Sequence, residues 1–415
     1  MSELNLTHSN GNKVKLTTPD TLAANKTFKL PGTDGSSGQA MVTDGSGALS
    51  FATVSDYSHR NKIHNGSFII NQRGGPYTST GSENMMDRFS HGESASFTFD
   101  TTTTVDSSGP AGFRKSLKIT PDSTQTPTGG QNAFIGHRIE GQDLQDLCFG
   151  TSSAKKITIS FYAKSSSQNN NHQYTLQIRK YDDSNNRNMV NRAFTVTSSW
   201  QRFIMTFDGD TAENIRNDTS AGMQILWHLS TGPDDIHGAS TTFGRTVNNS
   251  FYSGVTGQSN FMDNTSNEFY LTGVQLEVGT VATPFEHRSF ADELRRCERY
   301  YEVHWQNTNA TNPAGSHNDG YNCICAGVNL GSYSYFPFKY RTQKRAAPSI
   351  SHGGKFRILG GGSGSNKVAD EFYSPSIDGC RIRVAASGTS GQASVLEFDA
   401  ANNNGEGYIA VAAEL

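Results

Sequence analysis

TGVQLEVGTVATPFEHRSFADELRRCERYYEVHW (272–305) starts as one kind of structure and ends as another. Its first residues read as a strand, and Pro284-Phe285 turns the chain out of it. Ser289 then stands as a helix N-cap, with acidic residues just after it and arginines further on. That is the charge order a helix dipole favours. Phe290, Leu294, Cys297 and Tyr301 fall at helical spacing on one face. The stretch predicts a closing strand and then a short amphipathic connector over 287–305.

The sequence before it, 61–286, reads as one β domain. It opens at KIHNGSFIINQRGG and continues through SASFTFDTTTTV, KSLKIT, AFIGHRI, KKITISFYAKS, QYTLQIRKY, RAFTVTS, QRFIMTF, GMQILWHLS and NEFYLTGVQLEVG. Each run is short, alternates with period two and is bounded by Gly, Ser, Asn or Asp. Ile157, Ile159, Phe161 and Ala163 lie on one face of such a strand. Nine or ten strands at this spacing predict a two-sheet sandwich or jelly roll. KSSSQNNNHQ is a polar loop tip.

After the connector, 306–415 is again β, with NCICAGVNL, YSYFPFKY, APSISH, CRIRVAAS, SVLEFDA and GYIAVAAEL as strands and GGGSGS as a turn. Residues 1–60 differ from both regions. Short alternating pieces such as KVKL and TFKL are separated by two similar turns, TDGSSG and TDGSG. So little apolar surface cannot fold alone. Several intertwined copies sharing a thin core would stabilise it. The expected fold class is therefore all-β: an N-terminal trimeric β stem, a jelly-roll sandwich, a short connecting helix and a C-terminal β domain.

Composition narrows the function. The chain has 415 residues, 18% of them charged, and a net charge of −3. No basic footprint for nucleic acid exists, and no apolar run is long enough for membrane insertion. Residues 1–10 lack the pattern of a signal peptide, so synthesis in a cytoplasm is expected. The Asn65-Gly66-Ser67 sequon then reads as a by-product of composition. Five cysteines (Cys148, Cys297, Cys323, Cys325 and Cys380) are odd in number and irregular in spacing, which suits reduced, buried thiols. Cys323 and Cys325 would share a strand face, without the second pair a zinc site needs.

The twelve histidines are scattered, with no His-Glu-x-x-His and no Gly-x-Ser-x-Gly elbow. Asp234-Asp235 sits in a Gly/Pro loop, and nothing encodes two carboxylates across a cleft. The β-helix repeats of a depolymerising spike are missing. No catalytic residues and no cofactors are expected. DNTSNE (263–268) offers oxygen ligands for a structural calcium ion, but in no recognisable loop spacing.

NGSFIINQRG (65–74), Asp87-Arg88-Phe89, IGHRIE (135–140), ITISFYAKS (157–165), WQRFIMTF (200–207) and above all YLTGVQLEVGTVATPFEHRSFADELRRCERYYE (270–302) carry a family likeness. The chain resembles bacteriophage tail fibre and virion structural proteins with a carbohydrate-binding-module-like jelly roll. The last block looks like the signature G-V-Q-L-E-x-G-x-x-A-T-P-F-E followed by a helix ending C-x-R-Y-Y. The turns of 30–54, FPFKYRTQKRAAPSIS and the final AAEL are similar to the ends of such fibres.

The resemblance implies a non-enzymatic, homotrimeric appendage on a virion. Residues 1–60 would dock on a tail or capsid protein, and 306–415 would form a receptor-binding tip. The partner at the tip would be a host cell-surface glycan or an outer-membrane protein. Removing 306–415 should then abolish adsorption without blocking assembly. A capsid-bound head fibre, a free carbohydrate-binding module and a glycan-degrading spike are the alternatives. A trimer contact would run through Phe290, Leu294, Cys297 and Tyr301.

Sugar binding needs exposed aromatics that stack on ring faces. Among Trp200, Trp227, Tyr174, Tyr181 and Tyr252, the two tryptophans are expected in the core. Phe251 and Tyr252, in NNSFYSGVTGQSN, are the binding candidates of the sandwich. Tyr333, Tyr335 and His317 are those of the C-terminal domain.

Overall fold

The computed structural model describes residues 3–7, 11, 13–17, 27–36, 39–43, 46–53, 59–79, 84–94, 97–184, 187–245, 252–305, 323–361, 364–399 and 407–415. The chain divides into two units, Met1–His59 and Arg60–Leu415.

The first unit is two antiparallel hairpins. β1 (Glu3–Thr7) pairs with β2 (Lys13–Thr17), and β3 (Gln39–Thr43) with β4 (Leu49–Thr53). A parallel bridge joins Lys29 to Ala48. Isolated hairpins are marginal in water. Phe28, Leu30 and Met41 stay exposed here.

The second unit begins with a sandwich of two sheets. One has the order β17 (Gly244–Arg245), β13 (Arg187–Thr195), β12 (Gln173–Tyr181), β15 (Ala221–Thr231), β10 (Asn132–Glu140), β7 (Phe89–Glu93) and β6 (Asn84–Met86). The other has the order β14 (Gln201–Phe207), β11 (Ile157–Ser165), β19 (Phe269–Val278), β9 (Ser116–Pro121), β8 (Thr101–Asp106) and β5 (Tyr77–Ser79). A short parallel pair, β16 (Ile236–His237) and β18 (Gly254–Val255), lies beside the first sheet.

The alternation read in ITISFYAKS places Ile157, Ile159, Phe161 and Ala163 in the core, all fully buried. Trp227 is buried with them, its ring perpendicular to Phe161 at 5.7 Å. The opening KIHNGSFIINQRGG forms no strand. Its backbone is held by two buried asparagines instead. Asn61 Oδ1 accepts from the N–H groups of Ile63 and Leu276, at 2.9 and 3.1 Å. Asn65, with φ 58°, donates to the carbonyls of Ile70 and Asp87. The sequon asparagine is thus a core residue with no exposed surface.

The connecting helix is shorter than expected: α1 runs Phe290–Glu298. Ser289 Oγ accepts from the Asp292 N–H at 3.2 Å, the cap that the sequence suggested. The helix stops because the β-favouring residues after it find a partner. β20 (Tyr301–Trp305) pairs with β29 (Tyr408–Ala412), which pairs in turn with β23 (Ser349–Gly353). Beside this three-stranded sheet stands one of seven. Its order is β25 (Gly364–Lys367), β24 (Phe356–Gly360), β28 (Ala393–Phe398), β21 (Cys323–Asn329), β22 (Tyr333–Lys339), β27 (Gly379–Ala385) and β26 (Ala369–Tyr373). Of GGGSGS, Gly360 ends β24 and Gly364 begins β25, and Gly362 and Ser363 lie outside the described residues. A register shift between Cys323 and Cys325 interrupts the alternation expected of those two residues.

CERYYE joins the sandwich to the C-terminal sheets. Arg299 makes two hydrogen bonds to the Glu140 carboxylate, at 2.7 and 2.8 Å, and the Tyr300 hydroxyl donates to it at 2.6 Å. The Arg88 guanidinium lies 3.4 Å from the Tyr300 ring centre, and that of Arg73 lies 3.6 Å from the Tyr301 ring centre. Both arginines also pair with Glu414, Arg88 at 2.7 Å and Arg73 at 3.0 Å. Glu302 pairs with Lys344 at 2.7 Å, both side chains without exposed surface.

Burial alone would raise the Glu140 carboxyl, but hydrogen bonds from Arg299 and Tyr300 hold it below its ordinary value of 4.5. Glu302 is held down in the same way by His304 and Lys344 against its burial. A depressed carboxylate contributes stability above its unfolded pKa and loses it as pH falls through the folded one. The urea midpoint should therefore drop as pH falls below 4.5, and Glu140→Gln should flatten that slope. An unchanged slope would remove Glu140 from the acid response. Glu140→Ala leaves Arg299 and Tyr300 without their acceptor and should cost about 3 kcal/mol in urea unfolding.

Candidate binding surface

YSYFPFK on β22 alternates cleanly. Ser334, Phe336 and Phe338 point into the core, while Tyr333, Tyr335, Pro337 and Lys339 face outward. On β27 next to it, Ile382 and Val384 are buried, and Arg381 and Arg383 face out. On β26, Glu371 and Tyr373 share that outer face. Register sets the contacts: Tyr335 is opposite Arg383 and Pro337 opposite Arg381, while Arg383 and Arg381 face Glu371 and Tyr373 on the other side.

The result is a ladder of rings and guanidinium groups. Arg381 stands 5.0 Å from the Tyr335 ring centre and 5.1 Å from that of Tyr373. Arg383 stands 4.7 Å from Tyr333 and 5.0 Å from Tyr373. Each such contact contributes about 0.5–1 kcal/mol at an exposed site. Arg383 donates to the Tyr373 hydroxyl and pairs with Glu371 at 3.3 Å. The Glu371 carboxylate, accepting from that hydroxyl, raises the Tyr373 phenol. These contacts fix the side chains before any partner arrives, which lowers the ordering cost of binding.

At one end of the ladder the surface sinks into a hollow of about 490 Å³, walled by Pro337, Lys339, Tyr373, Asp378, Cys380 and Arg381. This falls within the usual range for small-molecule sites, about 300–1,000 Å³. A second hollow, of about 130 Å³, lies in the sandwich between Met189, Asn191, Ser240, Thr242 and Tyr252. It is too small for a sugar on the same scale. Tyr252 is half-buried there, its ring 3.7 Å from that of His237, and its carbonyl accepts from Gln177 at 2.6 Å.

Of the candidate residues, Tyr333 and Tyr335 come together on the ladder and Tyr252 stands apart. Phe251 and His317 lie outside the described residues. Tyr174 is fully buried, and Tyr181, nearly so, donates to Gln224 at 3.0 Å. Trp200 is not in the core as expected. It is half-buried on the outside of the second sheet, 6.1 Å from Tyr270, with the Lys164 ammonium 5.3 Å from its ring. Its position just before β14, rather than inside a strand, puts it on the rim.

Cys297, on the helix, and Tyr301, which opens β20, are buried within their own chain, so neither presents the face that a helix-to-helix contact would use. Glu293 and Glu298 share that buried side. Phe290 is exposed and Leu294 half-buried. In DNTSNE the side chains bond to one another and to a neighbouring strand. Asp263 accepts from Asn267 at 2.7 Å, and Glu268 pairs with Lys118 at 2.6 Å. Among the described residues, no three His, Cys, Asp or Glu side chains are grouped to hold a metal ion.

Sequence reading missed Lys339, Tyr373, Arg381 and Arg383. A signal existed in Arg-Ile-Arg, whose alternation puts both arginines on one strand face. Nothing local shows that this face adjoins Tyr333 and Tyr335.

No protein family matches the chain, and no curated protein matches it. Solved structures similar to it include the enzymatically active domain of tailspike protein 4 of bacteriophage CBA120, at 11% identity and a TM-score of 0.30. That match covers 55% of this chain and 22% of that domain. The CBM22-1 xylan-binding domain of Paenibacillus barcinonensis Xyn10C is 12% identical with a TM-score of 0.25, covering 49% of this chain and 94% of that one. The family 11 carbohydrate-binding module of Clostridium thermocellum Lic26A-Cel5E is 12% identical with a TM-score of 0.26, covering 51% and 100%.

Burial pushes the Cys380 thiol up to about 11, although the Tyr340 hydroxyl lowers it somewhat. The reactive species is the thiolate. Alkylation of native Cys380 by iodoacetamide should thus be slow at about pH 8 and climb about tenfold per pH unit from there. Peptide mass spectrometry reads it, and a rate at pH 8 equal to that of the unfolded chain would contradict the raised thiol of half-buried Cys380.

Proposed function

We propose that this chain is a non-catalytic attachment protein of a tailed bacteriophage, a homotrimeric fibre on the virion whose tyrosine–arginine face meets a host-surface glycan. The observation that carries this reading is the ladder itself. Three tyrosine rings and two guanidinium groups sit pre-arranged on one exposed sheet face, beside a hollow of about 490 Å³. Rings offer flat apolar faces to sugars, and the guanidinium edges offer hydrogen bonds to hydroxyls.

The resemblance of GVQLEVGTVATPFE and CERYY to virion fibre proteins supports the setting. So does the first unit, whose exposed Phe28, Leu30 and Met41 suit a thin core shared by three copies and docked on the particle. Weak sites suffice in such an array, because linked copies raise the effective concentration of the next contact.

Point variants test this better than truncation. β20 ends at Trp305 and is hydrogen-bonded to β29, so removing 306–415 would strip a strand from the junction. Particles carrying Tyr335→Ala with Tyr373→Ala should assemble normally and adsorb to host cells at least about tenfold less well. Full adsorption by the variant would rule the face out as the contact. Light scattering on the purified protein should give three chain masses, and fewer without residues 1–60. A monomer in both forms would remove the shared stem.

A further inference from the structure

We propose that the hollow beside the ladder is specific for acidic sugars, and that Lys339 and Arg381 receive the carboxylate or phosphate such a sugar carries. The inference rests on the glycan reading above and names the ligand class of the same site.

Most cations near this sheet are already neutralised. Arg383 pairs with Glu371 at 3.3 Å, Arg357 with Glu397 at 2.5 Å, Arg341 with Glu298 at 3.5 Å, and Lys344 with Glu302 at 2.7 Å. Lys339 and Arg381 differ. Both are exposed, both line the hollow, and among the described residues neither has an acidic side chain in ion-pair range. Arg381 stands between Tyr335 and Tyr373, 5.0 and 5.1 Å from their ring centres, and among the described residues its N–H edge has no hydrogen-bond partner. That edge matches two oxygens of a carboxylate or phosphate. Lys339 adds a point charge on the same wall. Asp378, the one acid lining the hollow, accepts from Gln343 Nε2 at 3.1 Å.

Tyr373 and Pro337 complete the site with apolar surface for a ring face. A neutral sugar would use those walls and leave both cations with water. An acidic one would engage walls and cations together. Desolvating two unpaired cations against an uncharged ligand is unfavourable, so charge is the discriminating feature. An acidic peptide shares the charge but not the ring geometry.

The test is calorimetric titration of the full-length protein with four probes: tetragalacturonate, mannotetraose 6-phosphate, uncharged mannotetraose and poly-L-glutamate. At least one acidic glycan should bind about tenfold tighter than uncharged mannotetraose, with an affinity that falls between about 0.05 and 0.5 M salt. Arg381→Gln and Lys339→Gln should each weaken it about tenfold; Lys339→Gln should leave the melting temperature in place, and Arg381→Gln, which loses two ring contacts, should lower it by only a few degrees. The preferred probe tells carboxylate from phosphate. Equal binding of charged and uncharged sugars, or full affinity in Arg381→Gln, overturns the acidic specificity and leaves the glycan reading standing. No binding of any of the three glycans at about 10 mM by the unaltered protein overturns both. Binding of polyglutamate alone assigns the cations to a protein partner and overturns the inference.

Discussion

A carboxylate with no exposed surface sits at the end of β10, and the second unit is organised around satisfying it. Glu140 takes a forked pair from Arg299 and a third hydrogen bond from Tyr300. An unpaired charge in that position would cost several kcal/mol, so the residues that answer it are constrained in place. Once Tyr300 is anchored, its ring lies under Arg88, and Arg88 reaches on to Glu414 near the C-terminus. Arg138, also on β10, donates to the carbonyl of Leu415. A few charged groups thus connect the sandwich, the helix end and the final strand.

This has a mechanical consequence. β20 is hydrogen-bonded to β29 along its whole length, and the residues just past β29 are held by Arg73, Arg88, Arg138 and Arg345. Force applied at the C-terminal sheets is carried to the sandwich through many parallel contacts rather than one linker. The fibre reading needs such coupling. The ladder follows a similar logic on a smaller scale. Arg381 and Arg383 are ordered by aromatic neighbours before binding, so less conformational freedom is lost on contact.

Much of this was legible in the residues. Period-two alternation found the strands of both regions and placed one face of ITISFYAKS in the core, and Tyr333 and Tyr335 stood out as aromatics available for binding. The Ser289 cap and the acid-to-base order located the helix. Alternation did not show where the helix would stop, because β20 is a strand only once β29 lies beside it. Nor did it show that KIHNGSFIINQRGG would be irregular, since that depends on Asn61 and Asn65 reaching backbone groups far along the chain. Trp200 looked like a core residue by its type. Its position at the rim, under Lys164 and next to Tyr270, follows from which strands adjoin.

Contacts between near neighbours in the chain are governed by residue type and spacing. For that reason the all-β class and the shared inward face of Ile157, Ile159, Phe161 and Ala163 were readable directly. Contacts between distant residues are governed by sheet order and register. Glu140 and Arg299 are 159 residues apart, and Tyr335 meets Arg383 only because β22 and β27 pair at that register. The junction that stabilises the second unit and the face assigned to binding are both of this second kind. Their residues were visible one strand at a time, but their meeting depended on long-range pairing that no local pattern encodes.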